Sequence, residues 1–205
     1  MPEIQDIYDR VIDLAAAKDI PVIGIDGLGG AGKSTISEKL CQKLEEHHYS
    51  ALLLHIDDFI HVREVRYNPA YSDWQCYYDL QWRYDYFLDV IRNIKDCRDD
   101  YIDIELYDKD NDTYFQQRFD VSRNSIVIVE GIFLQRKELK DVFDYMVYID
   151  IPEEIRLERV LKRDTYIGGE QEIIDKYKNR YFPAEHKYIE NYQPQKRADL
   201  CMDLS

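Results

Sequence analysis

The 205-residue sequence is poor in cysteine and lacks long apolar runs. Its four cysteines, Cys41, Cys76, Cys97 and Cys201, are widely scattered, and none forms a C-x-x-C pair. This spacing favours free thiols over disulfides or a zinc site. No apolar run approaches the roughly 20 residues that a membrane span needs, and the N-terminus lacks the basic-then-apolar layout of a signal peptide. We therefore expect a cytoplasmic protein.

Positive charge is also scarce. The 27 lysines and arginines stand against 41 aspartates and glutamates, which gives a formal net charge of -14. Such a chain repels nucleic acids and anionic membranes, so we expect neither as a partner. A site for a polyanion would have to be a local basic pocket. The length fits one domain over residues 1–205, and a homo-oligomer is compatible with the sequence.

Short apolar segments alternate with segments of helical periodicity. Because strands that are buried on both faces read as continuous apolar runs, this alternation predicts an α/β fold whose parallel sheet is covered by helices on both faces. The strands are predicted at 21–26, 51–56, 125–130, 145–149 and 198–202. Helices are predicted before Lys18 and at about 33–47, 79–95, 152–162 and 171–181, with Pro152 in the first turn of its helix.

Two stretches interrupt this alternation. Residues 60–78 have little periodicity and predict an irregular functional loop. Residues 101–107 and 113–119 alternate polar and apolar side chains on either side of Asp110-Asn111-Asp112. That pattern predicts a solvent-facing β-hairpin inserted into the α/β core at about 100–120.

A complete G-x-x-x-x-G-K-[ST] motif lies between the first predicted strand and the next helix, which is the context that this phosphate-binding loop requires. Glycines let successive N–H groups turn towards phosphate oxygens, and the helix N-terminus adds its positive dipole end. Lys33 would reach the β- and γ-phosphates, and Ser34 would offer a hydroxyl to Mg²⁺. The predicted nucleotide-binding residues are Gly27, Gly29, Gly30, Ala31, Gly32, Lys33, Ser34 and Thr35, although Thr35 is better explained as a helix residue.

Two acidic residues follow predicted strands at the edge that should carry this loop. Asp57 comes after the second strand, and Glu130 ends the strand before Gly131. Ligands of open α/β sheets bind at the carboxyl ends of strands. Asp57 could accept a proton from a substrate hydroxyl and help to hold Mg²⁺, and Glu130 could order the metal. The alternatives are that Asp57 caps a loop and that Glu130 is a solvated strand-end acid.

Three arginines, Arg156, Arg159 and Arg163, recur at spacings of three and four residues and so share one helix face. A cationic helix beside the Gly168-Gly169 break is typical of a lid that closes on a nucleotide and neutralises charge in the transition state. The predicted lid covers about 156–182. The alternative is that these arginines pair with acids of their own helix, Glu153, Glu154 and Glu158.

The class of nucleotide-binding protein follows by exclusion. A GTP-dependent switch would need an N-K-x-D segment, which the sequence lacks, and a motor ATPase usually needs a longer chain. These observations favour a Mg-ATP-dependent kinase for a small hydroxyl-bearing molecule, with Lys33, Asp57, Arg159 and Arg163 as catalytic residues. The alternative is a nucleotide-binding regulatory ATPase without a small-molecule acceptor.

The ordered set of motifs resembles the uridine kinase and phosphoribulokinase family of P-loop kinases. The resemblance runs from Val22 to Met202 through the segments GIDGLGGAGKST, HIDDF, LYD, IVIVEGI, RLERVLKRD and ADLCM. It implies a P-loop NTPase fold, a five-stranded parallel sheet with the hairpin as a substrate lobe.

The same resemblance implies roles for individual residues. Asp57 would be the catalytic base and Mg²⁺ neighbour, and Glu130 the second acid at the metal. Tyr78 and Asp79 would meet the sugar, with Asp79 on its hydroxyls, and Tyr107 would lie near the base. Arg159 and Arg163 would be lid arginines on the phosphates of ATP.

The sequence also departs from the family pattern. Uridine kinases typically carry a histidine a few residues after the hairpin tyrosine, where this chain has Asp108-Lys109-Asp110-Asn111-Asp112. The aromatic residue usually found three residues after the catalytic acid is Ile60. The acceptor is therefore left open between a nucleoside, another riboside, a pantothenate-like alcohol and a sugar phosphate, for which Arg63, Arg66 and Lys109 are candidate extra cations.

Overall fold

The structure is a computed structural model that describes residues 4–96 and 98–204. Within these ranges Cys41, Cys76 and Cys201 are free thiols. Cys97, the remaining cysteine, lies outside the described residues.

Five strands form a parallel sheet, as the sequence and the family resemblance predict. The strands of the chain are β1 (Val22–Gly27), β2 (Ser50–His55), β3 (Tyr101–Asp108), β4 (Thr113–Asp120), β5 (Ser125–Gly131), β6 (Tyr145–Asp150) and β7 (Leu200–Asp203). The sheet has the order β2-β5-β1-β6-β7, and β3 pairs with β4 as an antiparallel hairpin. The central strand β1 leads directly into the phosphate-binding motif.

Helices connect these strands. They are α1 (Ile4–Ala17), α2 (Lys33–Glu46), α3 (Arg63–Arg66), α4 (Asp73–Asp79), α5 (Tyr84–Lys95), α6 (Glu153–Arg163), α7 (Glu170–Lys176), α8 (Phe182–Tyr192) and α9 (Pro194–Arg197). Short 3₁₀ turns cover Ile56–Asp58 and Lys137–Leu139, and a π-helical segment, Tyr177–Tyr181, joins α7 to α8.

The sheet is covered on both faces, and β5 shows why. Its side chains are all buried, and successive residues point to opposite faces. Ile126 and Ile128 pack in the cluster that contains α1 and α2 residues. Val127 and Val129 pack in the cluster that contains α5, α8 and hairpin residues. The hairpin is thereby attached through buried β3 side chains, while β4 is largely exposed.

The predicted helix over 79–95 is wrong at its start. The chain leaves α4 after Asp79 and begins α5 only at Tyr84. Between them, Ile60 and Trp82 form an antiparallel bridge, with His61 N–H donating to Gln81 O at 2.9 Å and Arg83 N–H donating to Phe59 O at 2.8 Å. Backbone groups that bond across to another segment cannot also extend a helix.

Other boundaries differ as well. The stretch predicted as an irregular loop at 60–78 contains α3 and most of α4. Pro152 is the residue before α6 rather than its first helical residue, and the predicted helix over 171–181 is an α-helix only to Lys176 before it becomes π-helical. Helix α8 is absent from the sequence-based assignment.

Asp144 holds the start of β1, and we expect Asp144→Asn to lower the free energy of unfolding by about 1–2 kcal/mol at neutral pH. The carboxylate accepts the Val22 N–H at 2.8 Å and pairs with Lys18 at 2.6 Å. Partial burial acts to raise the pKa of Asp144, but these partners outweigh it and the pKa is lowered.

A lowered pKa sets the sign of the pH dependence. The contribution of Asp144 is present above its unfolded pKa and is lost as the pH falls through its folded pKa. Urea unfolding of the wild type and of Asp144→Asn should be compared between about pH 7 and about pH 2. The difference between their free energies of unfolding should shrink as the pH falls. A difference in free energy of unfolding that grew on acidification would contradict this role of the Asp144 carboxylate.

Candidate active site

The carboxyl ends of three neighbouring strands bring the predicted catalytic groups to one edge of the sheet. Strand β5 lies between β1 and β2, and His55 is the register partner of Glu130. The phosphate-binding loop follows β1, Glu130 lies near the end of β5, and Asp57 follows β2 within the 3₁₀ turn. The sequence predicts that these three groups share one edge of the sheet, and the sheet order brings the ends of their strands next to one another.

The phosphate-binding loop has the backbone that its glycines predict. Gly30 has a φ of 81°, and a Cβ at this position would lie 2.9 Å from the carbonyl oxygen of Arg156. Any other residue would be strained there. Helix α2 begins at Lys33, so its N–H groups and positive dipole end face the loop. The Lys33 ammonium donates to the Leu28 carbonyl at 3.1 Å, which keeps it at the loop, and Thr35 is exposed on α2.

Ser34 and Glu130 form the part of the site that suits a divalent cation. The Ser34 hydroxyl donates to Glu130 Oε1 at 3.2 Å, and His55 Nδ1 lies 2.6 Å from the same oxygen. Burial acts to raise the pKa of Glu130, but the His55 hydrogen bond and the charge of Lys33 outweigh it and lower the pKa. A charged carboxylate beside a hydroxyl is a hard oxygen donor set of the kind Mg²⁺ prefers, so the residues present fit the metal.

A glycine at the end of β5 lets Ile56, the residue before Asp57, pack directly against that strand. A Cβ on Gly131 would lie 2.1 Å from the Ile56 side chain, so only glycine allows the 3₁₀ turn this close to the strand. The neighbouring acids then differ: Asp57 is exposed, whereas Asp58 is half-buried and has a pKa raised by that burial. Asp57 is thus the more exposed acid of this pair.

The three arginines of α6 have different surroundings. Arg159 is exposed, and its Nη1 lies 3.3 and 3.4 Å from the carbonyl oxygens of Gly30 and Ala31 in the phosphate-binding loop. The exposed Arg163 bonds to the buried Asp164 at 2.6 Å. Arg156 is only 3% exposed. Of the three arginines predicted to form the cationic face of a lid, only Arg159 and Arg163 are therefore exposed.

A cavity of about 370 Å³ lies beside the Ile60–Trp82 bridge. Asp79 lines it at the end of α4, together with His61, Trp82, Arg83, Tyr84 and Arg136. The segment that carries Asp57 reaches this cavity three residues later, because Ile60 forms a β-bridge with Trp82, which lines the cavity wall.

Sequence reasoning missed Arg136, although it is nearly buried in this cavity wall. Its guanidinium lies 4.2 Å from the centre of the Tyr78 ring, donates to the Tyr78 carbonyl, and donates from Nη2 to Glu138 at 2.9 Å. Arg136 thereby fixes the segment that carries Asp79. A lone arginine six residues after Glu130 carries no local signal, since nothing in its spacing connects it with Tyr78.

Tyr107 lies apart from the cavity wall. It is 3% exposed, and its hydroxyl accepts from Arg66 Nη2 at 2.6 Å and donates to Asp112 at 2.7 Å. These bonds tie α3 to the tip of the hairpin. Tyr78 is also buried, with its ring beneath Arg136, so Asp79 is the member of the predicted aromatic-acid pair that faces the cavity.

A glycine loop on the central strand, flanked by carboxylates at the same sheet edge, defines a P-loop kinase fold. The sequence profile of the phosphoribulokinase/uridine kinase family matches residues 22–204, and the chain belongs to that family. It is an ATP-dependent phosphotransferase that acts on an alcohol group.

Individual relatives agree with this assignment. The uridine kinase of Staphylococcus haemolyticus is 31% identical over 185 residues, which cover 88% of this chain and 86% of the relative. The structure of a possible uridine kinase from Bacillus stearothermophilus is 32% identical and has a TM-score of 0.74, covering 97% of this chain and all of that one. A D-glycerate 3-kinase from Cryptococcus neoformans shares the fold at 14% identity, with a TM-score of 0.67 over 89% of this chain and 87% of that one.

Over residues 4–96 and 98–204, no helix has both the length and the apolar character needed to cross a membrane.

Proposed function

We propose that the protein transfers the γ-phosphate of Mg-ATP to a hydroxyl of a nucleoside-like acceptor, in the manner of a uridine kinase. The observation that carries the proposal is the exposed Asp57 carboxylate at the sheet edge shared with the P-loop, connected by the Ile60–Trp82 bridge to the cavity that holds Asp79. The similarity to uridine kinases supports the acceptor class.

The residues divide the reaction between them. The N–H groups at the start of α2 and Lys33 bind the phosphates of ATP, while the Gly29 and Ala31 N–H groups are bonded to Glu185 and to the Leu28 carbonyl. Arg159 above the loop adds positive charge for the transferring group. Asp57 orients the acceptor hydroxyl and takes its proton as the oxygen attacks the γ-phosphorus, and the bond from that phosphorus to the β-phosphate oxygen breaks to release ADP. Ser34, Glu130 and Asp57 would hold Mg²⁺, which neutralises phosphate charge when bound. Arg163 lies further along the same lid helix and would approach the phosphates on closure.

The charge balance of the cavity favours an uncharged acceptor over a sugar phosphate. Arg83 donates to Glu105 at 2.7 Å, and Arg136 bonds to Glu138 at 2.9 Å. Their charges are therefore already compensated. Asp79 lies 4.0 Å from Arg136 Nη2 but is half exposed, so it can still accept hydrogen bonds from hydroxyl groups. Trp82 and Tyr84 supply aromatic surface. Paired hydroxyls beside aromatic walls suit a ribose that carries a planar base.

A panel of acceptors tests this proposal. Purified protein would be incubated with γ-labelled ATP and Mg²⁺ in the presence of nucleosides, pantothenate-like alcohols or sugar phosphates. We expect label in a nucleoside monophosphate and little in the sugar phosphates. Label in a sugar phosphate alone would overturn the acceptor class while leaving the kinase assignment intact.

Asp79→Asn is expected to lower kcat/KM for the acceptor by about 10- to 100-fold, because each hydrogen bond to a charged group contributes about 1.5–3 kcal/mol. Most of the change should be in KM for the acceptor, with KM for ATP unchanged. Asp89→Asn is the matched control, since Asp89 is an exposed acid on α5 paired only on the surface with Arg92. Equal effects of the two variants would remove Asp79 from the acceptor site.

A further inference from the structure

Both backbone groups of one P-loop residue are held by side chains from distant parts of the chain. The Gly29 N–H donates to Glu185 Oε1 at 2.9 Å, and the Gly29 carbonyl accepts from Arg156 Nη1 at 3.0 Å. Arg156 Nη1 also donates to Glu185 Oε2 at 2.8 Å. One residue of the loop, through the two peptide groups on either side of its Cα, is therefore closed into a ring of three hydrogen bonds with an ion pair.

This ion pair is almost completely buried. The side chain of Arg156 is 3% exposed and that of Glu185 is 1% exposed. Burial raises the pKa of Glu185, and Arg156 and the Gly29 N–H oppose that rise. Removing two charges from water is costly, and apolar residues of similar size often stabilise a fold equally well. Stability alone therefore does not explain a charged pair at this position, whereas its two bonds to the backbone of Gly29 do.

The same face of α8 also holds the residue before the loop. The Tyr188 hydroxyl, one turn after Glu185, donates to the buried Asp26 carboxylate at 2.5 Å. Asp26 in turn accepts the N–H of Gly27 at 2.8 Å. Helix α8 thus contacts the loop at two points, its first glycine through Asp26 and Gly29 through Glu185.

We propose that Glu185, together with Arg156, is a positioning residue that holds the P-loop in its phosphate-binding shape before the nucleotide arrives. The inference rests on the proposed nucleotide site and extends it to residues that do not touch the nucleotide. Glycine-rich loops lose much conformational freedom when they are ordered. A loop that is already ordered binds its ligand more tightly, because that cost does not fall on binding.

The test compares Glu185→Gln with the double variant Glu185→Met/Arg156→Met. Gln keeps an oxygen that can accept the Gly29 N–H, while the double variant removes that acceptor without leaving a buried arginine unpaired. Calorimetry with a non-hydrolysable Mg-ATP analogue should show affinity falling in the order wild type, Gln variant, double variant, with about a tenfold loss in the last. Turnover at saturating ATP and KM for the acceptor should change by less than about threefold, because bound phosphate restores the loop.

Amide hydrogen exchange of the nucleotide-free proteins supplies an independent readout. The Gly29 amide should be protected in the wild type and exchange faster in the double variant. Asp144→Asn is the matched control, because its carboxylate also holds a β1 N–H but at the opposite end of that strand. It should lower stability without changing Gly29 exchange or nucleotide affinity.

A folded double variant with wild-type nucleotide affinity and an equally protected Gly29 amide would overturn the proposal. So would a control that weakened nucleotide binding as much as the double variant, because the effect would then reflect stability alone. The exchange measurement requires no nucleotide. It therefore decides the positioning role separately from the proposed function, which fails if the wild type takes up no Mg-nucleotide.

Discussion

Asp57→Asn is expected to lower kcat by about 10²- to 10⁴-fold, the range that general-base catalysis contributes. An amide at this position can still orient an acceptor hydroxyl, but it cannot take the proton. The affinity for Mg-ATP should change by only a few-fold, because the P-loop and Lys33 supply most of the contacts to the phosphates. Steady-state kinetics with the acceptor identified in the panel, combined with calorimetry for the nucleotide, measures both quantities.

The neighbouring acid provides the control for that variant. Asp58 belongs to the same 3₁₀ turn but is half-buried, with a pKa raised by that burial. Asp58→Asn should keep kcat within a few-fold of the wild type. A folded Asp57→Asn protein with wild-type turnover, or an Asp58→Asn protein with the larger defect, would show that the base is assigned to the wrong residue.

Lys33→Ala should lower kcat/KM for ATP by about 10²- to 10³-fold, the cost of losing one strong electrostatic contact to charge in the transition state. Lys33 is the lysine of the motif, and its ammonium lies at the loop beside the Leu28 carbonyl. Because the lysine binds phosphates in both the ground state and the transition state, KM for ATP should rise and kcat should fall. KM for the acceptor should stay the same.

A second lysine on the same helix isolates the effect of position. Lys39 is exposed on α2 and lies six residues beyond Lys33, so Lys39→Ala removes the same charge away from the phosphates. Its kinetics should match the wild type. If the two lysine variants lost activity equally, the defect would come from net charge or folding rather than from phosphate binding.

The sequence predicts those parts of the site that are recognisable within a short continuous segment of the chain. The P-loop is a contiguous motif, and Asp57 and Glu130 each follow a recognisable apolar strand. Strand direction then places both acids at the edge that carries the loop. The hairpin was equally visible, because its alternation of polar and apolar residues is a local pattern.

The parts that escaped prediction depend on contacts between distant residues. Glu185 meets Gly29 across 156 positions of sequence, and neither helical periodicity nor motif spacing connects them. The structure shows why it needs a partner: Glu185 lies between Ala184 and Tyr188 on the buried face of α8, where an unpaired carboxylate would be costly. The interrupted helix at 80–83 escaped for a similar reason, since the bridge to Ile60 outweighs the local helical pattern.

Arg156 shows how one spacing can describe residues with different roles. Recurrence at three and four residues correctly places Arg156, Arg159 and Arg163 near one face of α6. Periodicity does not report depth, however, and Arg156 is buried against Glu185 while the other two are exposed. Only the packing of α8 on α6 and the P-loop separates the positioning arginine from the proposed phosphate-binding ones.

Phosphorus NMR of the wild-type protein with Mg-ATP and its acceptor tests most directly whether the γ-phosphate passes to an alcohol at Asp57. The account predicts that ADP and a phosphomonoester resonance grow together in equal amounts, and that both nearly stop in Asp57→Asn. ADP accompanied only by inorganic phosphate, at the same rate with or without acceptor, would contradict it and favour a nucleotide-hydrolysing regulator.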